Sequence, residues 1–194
     1  MPITYTNRKG VTYHLCRGLS RNGKPRYYFA REPRDESVQE VPAGYKIAES
    51  VNGVVSLVKD RPAQILSEEV SAVEVELRRH HRPSRYRVGV KGDRIVMYEM
   101  VGPDAEELAT IMKEAIGLRI PTEALRAHEE RHAQYTPILR FTLHNAQRRT
   151  FYAERWCFRG SIDDWIDVGP IGPIRDVCRQ LIPKLDTDEF YELF

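Results

Sequence analysis

The segment with the clearest chemical potential is His128-Glu129-Glu130-Arg131-His132, which satisfies the pattern H-E-x-x-H. On a helix, imidazoles at positions i and i+4 share a face, where they can bind zinc together. The glutamate between them then acts as general base on the zinc-bound water. The spacing therefore predicts His128 and His132 as metal ligands and Glu129 as the catalytic group of a zinc-dependent hydrolase.

In form, this segment resembles the zincin metallopeptidase signature over five residues, which implies a zinc-dependent hydrolase. Three features argue against that interpretation. The charged pair Glu130-Arg131 lies between the histidines, the position six residues beyond His132 is Ile138 rather than a third histidine, and Glu154 falls in a predicted strand. We favour the alternative, a charged and solvated helix with two histidines on its flank, and expect no cofactor.

A second cluster brings both tryptophans, a cysteine, an arginine and paired acids into residues 156–165. Asp163 and Asp164 supply oxygen ligands that could bind a divalent metal together with Asp167. In the alternative interpretation, Ser161 and Asp164 cap a helix and the tryptophans anchor the core. The candidate site residues in this cluster are Trp156, Arg159, Asp163 and Asp164.

The third feature is a basic hairpin near the N-terminus. Two runs of β-branched and aromatic residues, 11–19 and 26–31, are separated by Asn22-Gly23, which is the strongest short signal for a hairpin. Cations that meet phosphates, combined with aromatic rings that stack on bases, are typical of a sheet that binds DNA or RNA. The candidate nucleic-acid-binding residues are Arg17, Arg21, Lys24, Arg26, Tyr28 and Arg31.

The same hairpin allows a purely structural interpretation. Alternation along the second run predicts Tyr27 and Phe29 on one face and Arg26 and Tyr28 on the other. The aromatic residues would then fill a core, while the basic residues keep a small sheet soluble and its edge unpaired. Nucleic-acid binding without catalysis is nevertheless the function that we favour, ahead of the zinc-dependent hydrolase and of a protein–protein interaction module.

The distribution of charge supports a polyanionic partner. The net charge is only +2, but residues 1–100 carry 18 Lys and Arg against 12 Asp and Glu, whereas residues 101–194 carry 12 against 16. Arginine, which suits bidentate phosphate contacts, outnumbers lysine by 23 to 7. A charge asymmetry of this kind indicates a nucleic-acid partner, although base composition of the genome produces the same arginine bias.

Composition predicts a soluble, cytoplasmic protein. The apolar runs are a few residues long, far below the roughly 20 that a membrane-spanning helix needs, and the N-terminus lacks the order of a secretory signal. The three cysteines form no C-x-x-C pair and are expected to be free thiols in a reducing compartment.

The pattern of the whole chain predicts an α+β fold, with a basic antiparallel β module at 1–60 and an α+β body at 61–194. The body alternates helices and hairpins, which suggests a duplicated αββα unit. The apolar C-terminal segment 190–194 could dock onto its own core or onto another chain. The predicted elements are hairpins over 11–31, 45–59, 86–100 and 138–158, and helices over 67–80 (capped by Ser67), 104–116, 121–132 and 174–184, with a last turn within 186–194.

Overall fold

The computed structural model describes residues 1–33, 36–159 and 162–192. The predicted α+β class is confirmed: these residues form five α-helices, two short 3-10 helices and twelve strands in antiparallel sheets. The chain divides into two compact units, one formed by residues 1–62 with 103–134 and the other by 63–102 with 135–194. The boundary near residue 60 inferred from the sequence stays a prediction.

Six strands precede the first helix, and hairpins alternate with helices after it. In chain order, the elements are β1 (Thr4–Thr6), β2 (Thr12–Leu19), β3 (Pro25–Ala30), β4 (Glu36–Ser37), β5 (Tyr45–Glu49), β6 (Val55–Lys59), α1 (Ser67–Arg78), a 3-10 turn (Pro83–Arg85), β7 (Tyr86–Lys91), β8 (Arg94–Met100), α2 (Ala105–Ile116), α3 (Thr122–His132), β9 (Tyr135–Asn145), β10 (Thr150–Arg159), β11 (Ile162–Asp167), β12 (Gly172–Pro173), α4 (Ile174–Leu181), a 3-10 turn (Ile182–Lys184) and α5 (Asp188–Tyr191).

The first unit contains two small antiparallel sheets and two helices. Strand β2 pairs with β3 along one edge, and with β1 and then β4 along the other. Strands β5 and β6 form a separate hairpin, and β6 packs against β3. Leu15 and Cys16, which are neighbours on β2, are both buried. Since successive residues of a strand point to opposite faces, both faces of β2 are covered at this position.

Helices α2 and α3 pack against each other within the first unit. Helix α2 begins with a reciprocal cap, in which Asp104 Oδ1 accepts from Glu107 N at 2.9 Å and Glu107 Oε2 accepts from Asp104 N at 3.1 Å. It ends at Gly117, whose φ of +68° lets its N–H turn back to the Lys113 carbonyl. Both ends of this helix follow from short-range sequence signals.

The second unit is built on one six-stranded sheet in the order β11-β10-β9-β8-β7, with β12 beside β10. Helices α1 and α4 pack against each other, α1 against β7 and α4 against β10. The two hairpins of the body therefore join one sheet. The αββα duplication stays a hypothesis, because α2 and α3, which would belong to the two repeats, lie in the first unit.

The core of the second unit lies between this sheet and its helices. Fully buried side chains come from the sheet and from α1, α4 and the segment after α4. Phe190 of α5 is only 3% exposed and belongs to the same core, so this residue of the apolar C-terminal segment docks onto its own unit, whereas Tyr191 is 56% exposed. The largest contributors to this core are Tyr86, Ile95, Met97, Leu139, Phe141, Phe151, Ile182 and Leu185.

The predicted cap of α1 is wrong. Ser67 is the first residue of the helix, and Leu66 holds the cap position. The Glu69 carboxylate accepts a hydrogen bond from Leu66 N at 2.8 Å, so a glutamate in the first turn satisfies a backbone N–H at the start of the helix. The same buried carboxylate binds the guanidinium of Arg149, with a distance of 2.8 Å from Nε. This contact over 80 residues could not be predicted from local patterns.

Candidate nucleic-acid interface

The H-E-x-x-H segment lies on α3, as the sequence predicts. The rings of His128 and His132 are adjacent, with their centroids 4.3 Å apart, and both residues are exposed. The carboxylate of Glu129 is used elsewhere in the first unit, since Oε2 accepts a hydrogen bond from Ala105 N at 2.8 Å. Glu129 thereby satisfies a free N–H in the first turn of α2, an environment that favours a carboxylate.

No third metal ligand joins the two histidines in the part of the chain that the structure describes. These residues contain no group of three or more His, Cys, Asp or Glu side chains that could hold a metal ion. Glu154, the conceivable downstream ligand, is bound by Arg140, with Nε at 2.6 Å. The assignment of His128, Glu129 and His132 to zinc chemistry stays a prediction. The carboxylate of Glu129, which would act as the general base, accepts a hydrogen bond at the start of α2.

The alternative interpretation of the tryptophan cluster, a helix that begins near residue 161, is wrong. Residues 162–167 form strand β11, which pairs along its whole length with β10. Asp163 and Asp164 are neighbours on this strand and therefore point to opposite faces, while Asp163 and Asp167 are separated by roughly 13 Å along it. In this placement, the three carboxylates cannot bind the same metal ion. Ser161 and the side chain of Arg159 lie outside the described part of the structure.

The two tryptophans are partners across the strands rather than deep core residues. Trp156 lies opposite Trp165, and their rings meet edge to face with centroids 5.2 Å apart. The guanidinium of Arg140 lies 4.3 Å from the centroid of Trp165 and also binds Glu154. Burial by itself raises the pKa of Glu154, but the hydrogen bonds and positive charge of Arg140, together with a hydrogen bond from Thr142, hold the pKa below its usual value. Trp156 remains 36% exposed and Phe158 80% exposed.

The second unit also contains a cavity of about 610 Å³, and the candidate residue Trp156 is part of its lining. Its lining includes the nearly buried Arg155, whose Nη2 donates to the Tyr191 carbonyl at 2.8 Å. Burial raises the pKa of Glu99, a second charged residue of this lining. Because the lining comes from β8, β9, β10 and α5, residues close in space are distant in sequence. The sequence cluster 156–165 marks Trp156, but no motif or spacing marks the lining residues of β8, β9 and α5.

The basic hairpin is formed by β2 and β3, and its register fixes the faces. Arg17 lies opposite Tyr27, and Gly18 lies opposite Arg26. Directly opposed residues share a face, so Arg17 and Tyr27 lie on one face and Arg26 lies on the other with Tyr28. The predicted separation of Tyr27 from Arg26 and Tyr28 is thus confirmed. The basic residues do not form a single flat surface.

The turn of this hairpin is closed by its own hydrogen bonds. Ser20 N donates to the Lys24 carbonyl at 2.8 Å, and Gly23 N donates to the Ser20 carbonyl at 2.8 Å. The Ser20 hydroxyl oxygen also accepts from Lys24 N at 3.1 Å. Gly23 has a φ of +72°, the left-handed conformation that a three-residue hairpin loop requires at this position. The loop therefore presents Arg21 and Lys24 from an ordered backbone.

The charged side chains of the hairpin are all positive. Residues 12–31 include five Lys or Arg and no Asp or Glu. Arg17 pairs with Glu36 at 3.4 Å in an exposed bridge, which contributes little to stability. Among the described residues, Arg21, Lys24 and Arg26 have no acidic partner, and all three are exposed. Arg31 is also exposed and follows β3, whereas Tyr28 is half-buried.

Comparison with known proteins adds no assignment: no family model, curated protein or solved structure matches this chain. Among the described helices, none combines the length and apolar character required to cross a membrane.

Proposed function

We propose that this protein binds nucleic acid through the β2–β3 hairpin, as a non-enzymatic binding or accessory protein of the cytoplasm. The observation that carries the proposal is the group of exposed cations at the hairpin end, Arg21, Lys24 and Arg26, which lack acidic partners among the described residues. Exposed cations on a hairpin end of this kind suit phosphate groups, whose neutralisation releases condensed counterions. The three cysteines, all free and buried, are compatible with the proposed compartment.

Contacts and exposure at the other candidate sites rank the alternative functions. A zinc-dependent hydrolase needs the Glu129 carboxylate at the metal, but this carboxylate is bound to the first turn of α2. The exposed apolar residues Ile111 and Ile116 of α2 support the alternative of a protein–protein interaction module. Those residues do not indicate which partner would cover them, so nucleic-acid binding has the more specific support.

The test is a salt titration of binding to labelled DNA and RNA oligonucleotides, followed by fluorescence anisotropy. With four cations contributing, the logarithm of affinity should fall with the logarithm of salt concentration with a slope of about −3 to −4. Charge reversal of the four hairpin residues should reduce the affinity at low salt by about a hundredfold or more. The four substitutions are Arg17→Glu, Arg21→Glu, Lys24→Glu and Arg26→Glu.

A control variant makes the same change in net charge at four exposed basic positions outside the hairpin. It should retain more than about a third of the wild-type affinity, because these four cations lie outside the hairpin that contacts the phosphates in this proposal, and charges without a direct contact are screened within roughly 10 Å at moderate salt. Thermal unfolding verifies that both variants are folded. Wild-type protein that retains neither DNA nor RNA at low salt would refute the proposal. The control substitutions are Lys59→Glu, Arg61→Glu, Lys91→Glu and Arg148→Glu.

A further inference from the structure

The end of the β2–β3 hairpin is a ribbon only two strands wide. Strand β1 pairs with β2 up to His14, and β4 pairs with β2 at Cys16 and Arg17. From Gly18 onward, β3 is the one strand that pairs with β2 among the described residues. Residues 18–26 thus form two cross-strand pairs and the closing turn. At about 3.3 Å per residue, this end extends roughly 13 Å beyond the last paired position.

The cations at this end of the hairpin, including Arg17 at the base of the ribbon, lie on both faces and at the turn instead of on one side. Arg17 and Arg26 lie on opposite faces, and Arg21 and Lys24 lie at the turn. A β-ribbon with cations on both faces and at its end is suited to a groove of a nucleic-acid duplex, because phosphate backbones run along both sides of such a groove. A flat binding surface would need the cations on a common face.

The aromatic residues do not form a stacking platform for a single strand. Stacking of successive bases requires exposed rings on one face of a sheet. Tyr27 and Tyr28 are half-buried and lie on opposite faces of the hairpin. The exposed apolar residue at this end is instead Leu19, at 76% exposure, which lies opposite Pro25.

From these features we infer that the ligand of the hairpin is duplex DNA in the B form, with the ribbon end inserted in the major groove. The inference rests on the proposed nucleic-acid binding and assigns its substrate class. The major groove of B-DNA, roughly 12 Å wide and 8.5 Å deep, admits a two-stranded β-ribbon. It is also where thymine exposes its methyl group, an apolar partner for Leu19 and Pro25.

The geometry discriminates against duplex RNA, although RNA carries the same phosphate charge. The major groove of A-form RNA is deep and too narrow for side chains to read. An RNA duplex of the same sequence is therefore a control that keeps the charge and removes the accessible groove. A single DNA strand is the second control, because it keeps the bases and removes the groove altogether.

The experiment measures full-length wild-type protein by anisotropy against a short DNA duplex, the matching RNA duplex and the single DNA strand. We expect the DNA duplex to bind about tenfold tighter than either control at the same salt concentration. Methyl green, which occupies the major groove, should displace the protein, and netropsin, which occupies the minor groove, should not. Equal affinity for all three ligands, or displacement by netropsin alone, would overturn the inference and leave the proposed function intact. Loss of binding to all three would refute the proposed function itself.

A charge-neutral variant tests the role of the ribbon end without altering the electrostatics. Leu19→Ser should reduce the preference for the DNA duplex over the RNA duplex by about threefold or more, with an unchanged salt slope. The matched control is Val54→Ser, which removes an apolar side chain of 61% exposure at the turn of the β5–β6 hairpin. If Val54→Ser reduces the preference as much as Leu19→Ser does, insertion of the β2–β3 end is ruled out.

Discussion

The first unit contains two hairpins, β2–β3 and β5–β6, whose turns have the same hydrogen bonds. In each turn, the serine N–H donates to the carbonyl of the fifth residue, at 2.8 and 2.9 Å, and the glycine N–H donates to the serine carbonyl, at 2.8 and 2.9 Å. The serine hydroxyl oxygen accepts from the fifth residue at 3.1 and 3.0 Å. The two turns are Ser20-Arg21-Asn22-Gly23-Lys24 and Ser50-Val51-Asn52-Gly53-Val54.

The surroundings of the two turns are different. The side chain of Asn7 donates from Nδ2 to the Gly53 carbonyl at 2.7 Å, and a Cβ built on Gly53 would lie 3.0 Å from the same atom. A Cβ built on Gly23 would meet no atom within 4 Å. One turn is packed and the other projects into solvent, although their backbones match. The packing comes from Asn7 and Lys9, which contact Gly53, because Val54 in the same turn is itself 61% exposed.

The difference between the two turns separates a structural turn from a candidate binding element. An Asn-Gly signal predicts both hairpins equally well, so it carries no information about function. The functional assignment comes from the cations at the turn and from the absence, among the described residues, of contacts that would explain them structurally. Substitutions at three sets of positions test how far this distinction extends.

The largest effect is expected for Asn7→Ala. Asn7 is only 5% exposed, and its Oδ1 accepts from Lys9 N at 3.1 Å and Val11 N at 2.9 Å while its amide binds Gly53. Loss of these hydrogen bonds should lower the free energy of unfolding by about 3 kcal/mol, because buried backbone groups lose their partners. Urea denaturation measures the change. Asn22→Ala, in the projecting turn, is the control, and an equal loss there would contradict the difference between the turns.

Glycine substitution is expected to have an intermediate effect. Gly53→Ala should cost about 2 kcal/mol, since alanine is strained at a φ of +77° and its Cβ also crowds Asn7 and Lys9. Gly23→Ala should cost about 1 kcal/mol, because only the strain of the left-handed conformation remains. The two variants are compared by urea denaturation under the same conditions. A larger loss for Gly23→Ala would show that the projecting turn is packed in solution.

The smallest effect on stability is expected for the double variant Arg21→Ser with Lys24→Ser. Its free energy of unfolding should change by less than about 0.5 kcal/mol, because these exposed side chains make no ion pair among the described residues. Its affinity for nucleic acid should nevertheless fall about tenfold at low salt. The corresponding control, Val51→Ser with Val54→Ser, should leave the affinity unchanged. A double variant that loses stability but retains affinity would assign these cations to folding.

Much of the local structure could be predicted from the sequence. The hairpins around Asn22-Gly23 and Asn52-Gly53, and the start of α2 at Asp104, depend on turn and cap chemistry that acts over a few residues. Segment 162–167 shows the limit of such signals. A serine followed by acids suggests a helix start, but pairing of the whole segment with β10 makes it a strand. Tertiary context overrides a weak local preference in this case.

Only the tertiary structure distinguishes the three candidate sites by the contacts of their side chains. Sequence alone determined the α+β class, the surplus of cations near the N-terminus and the positions of the H-E-x-x-H and tryptophan segments, because composition and short spacing can be read directly. Only the tertiary structure decided that Glu129 binds a helix end, that Asp163 and Asp164 diverge, and that Arg17 and Arg26 lie on opposite faces. These facts depend on strand register and on contacts between distant residues. Such contacts form when chain segments pack together, and no local pattern encodes them.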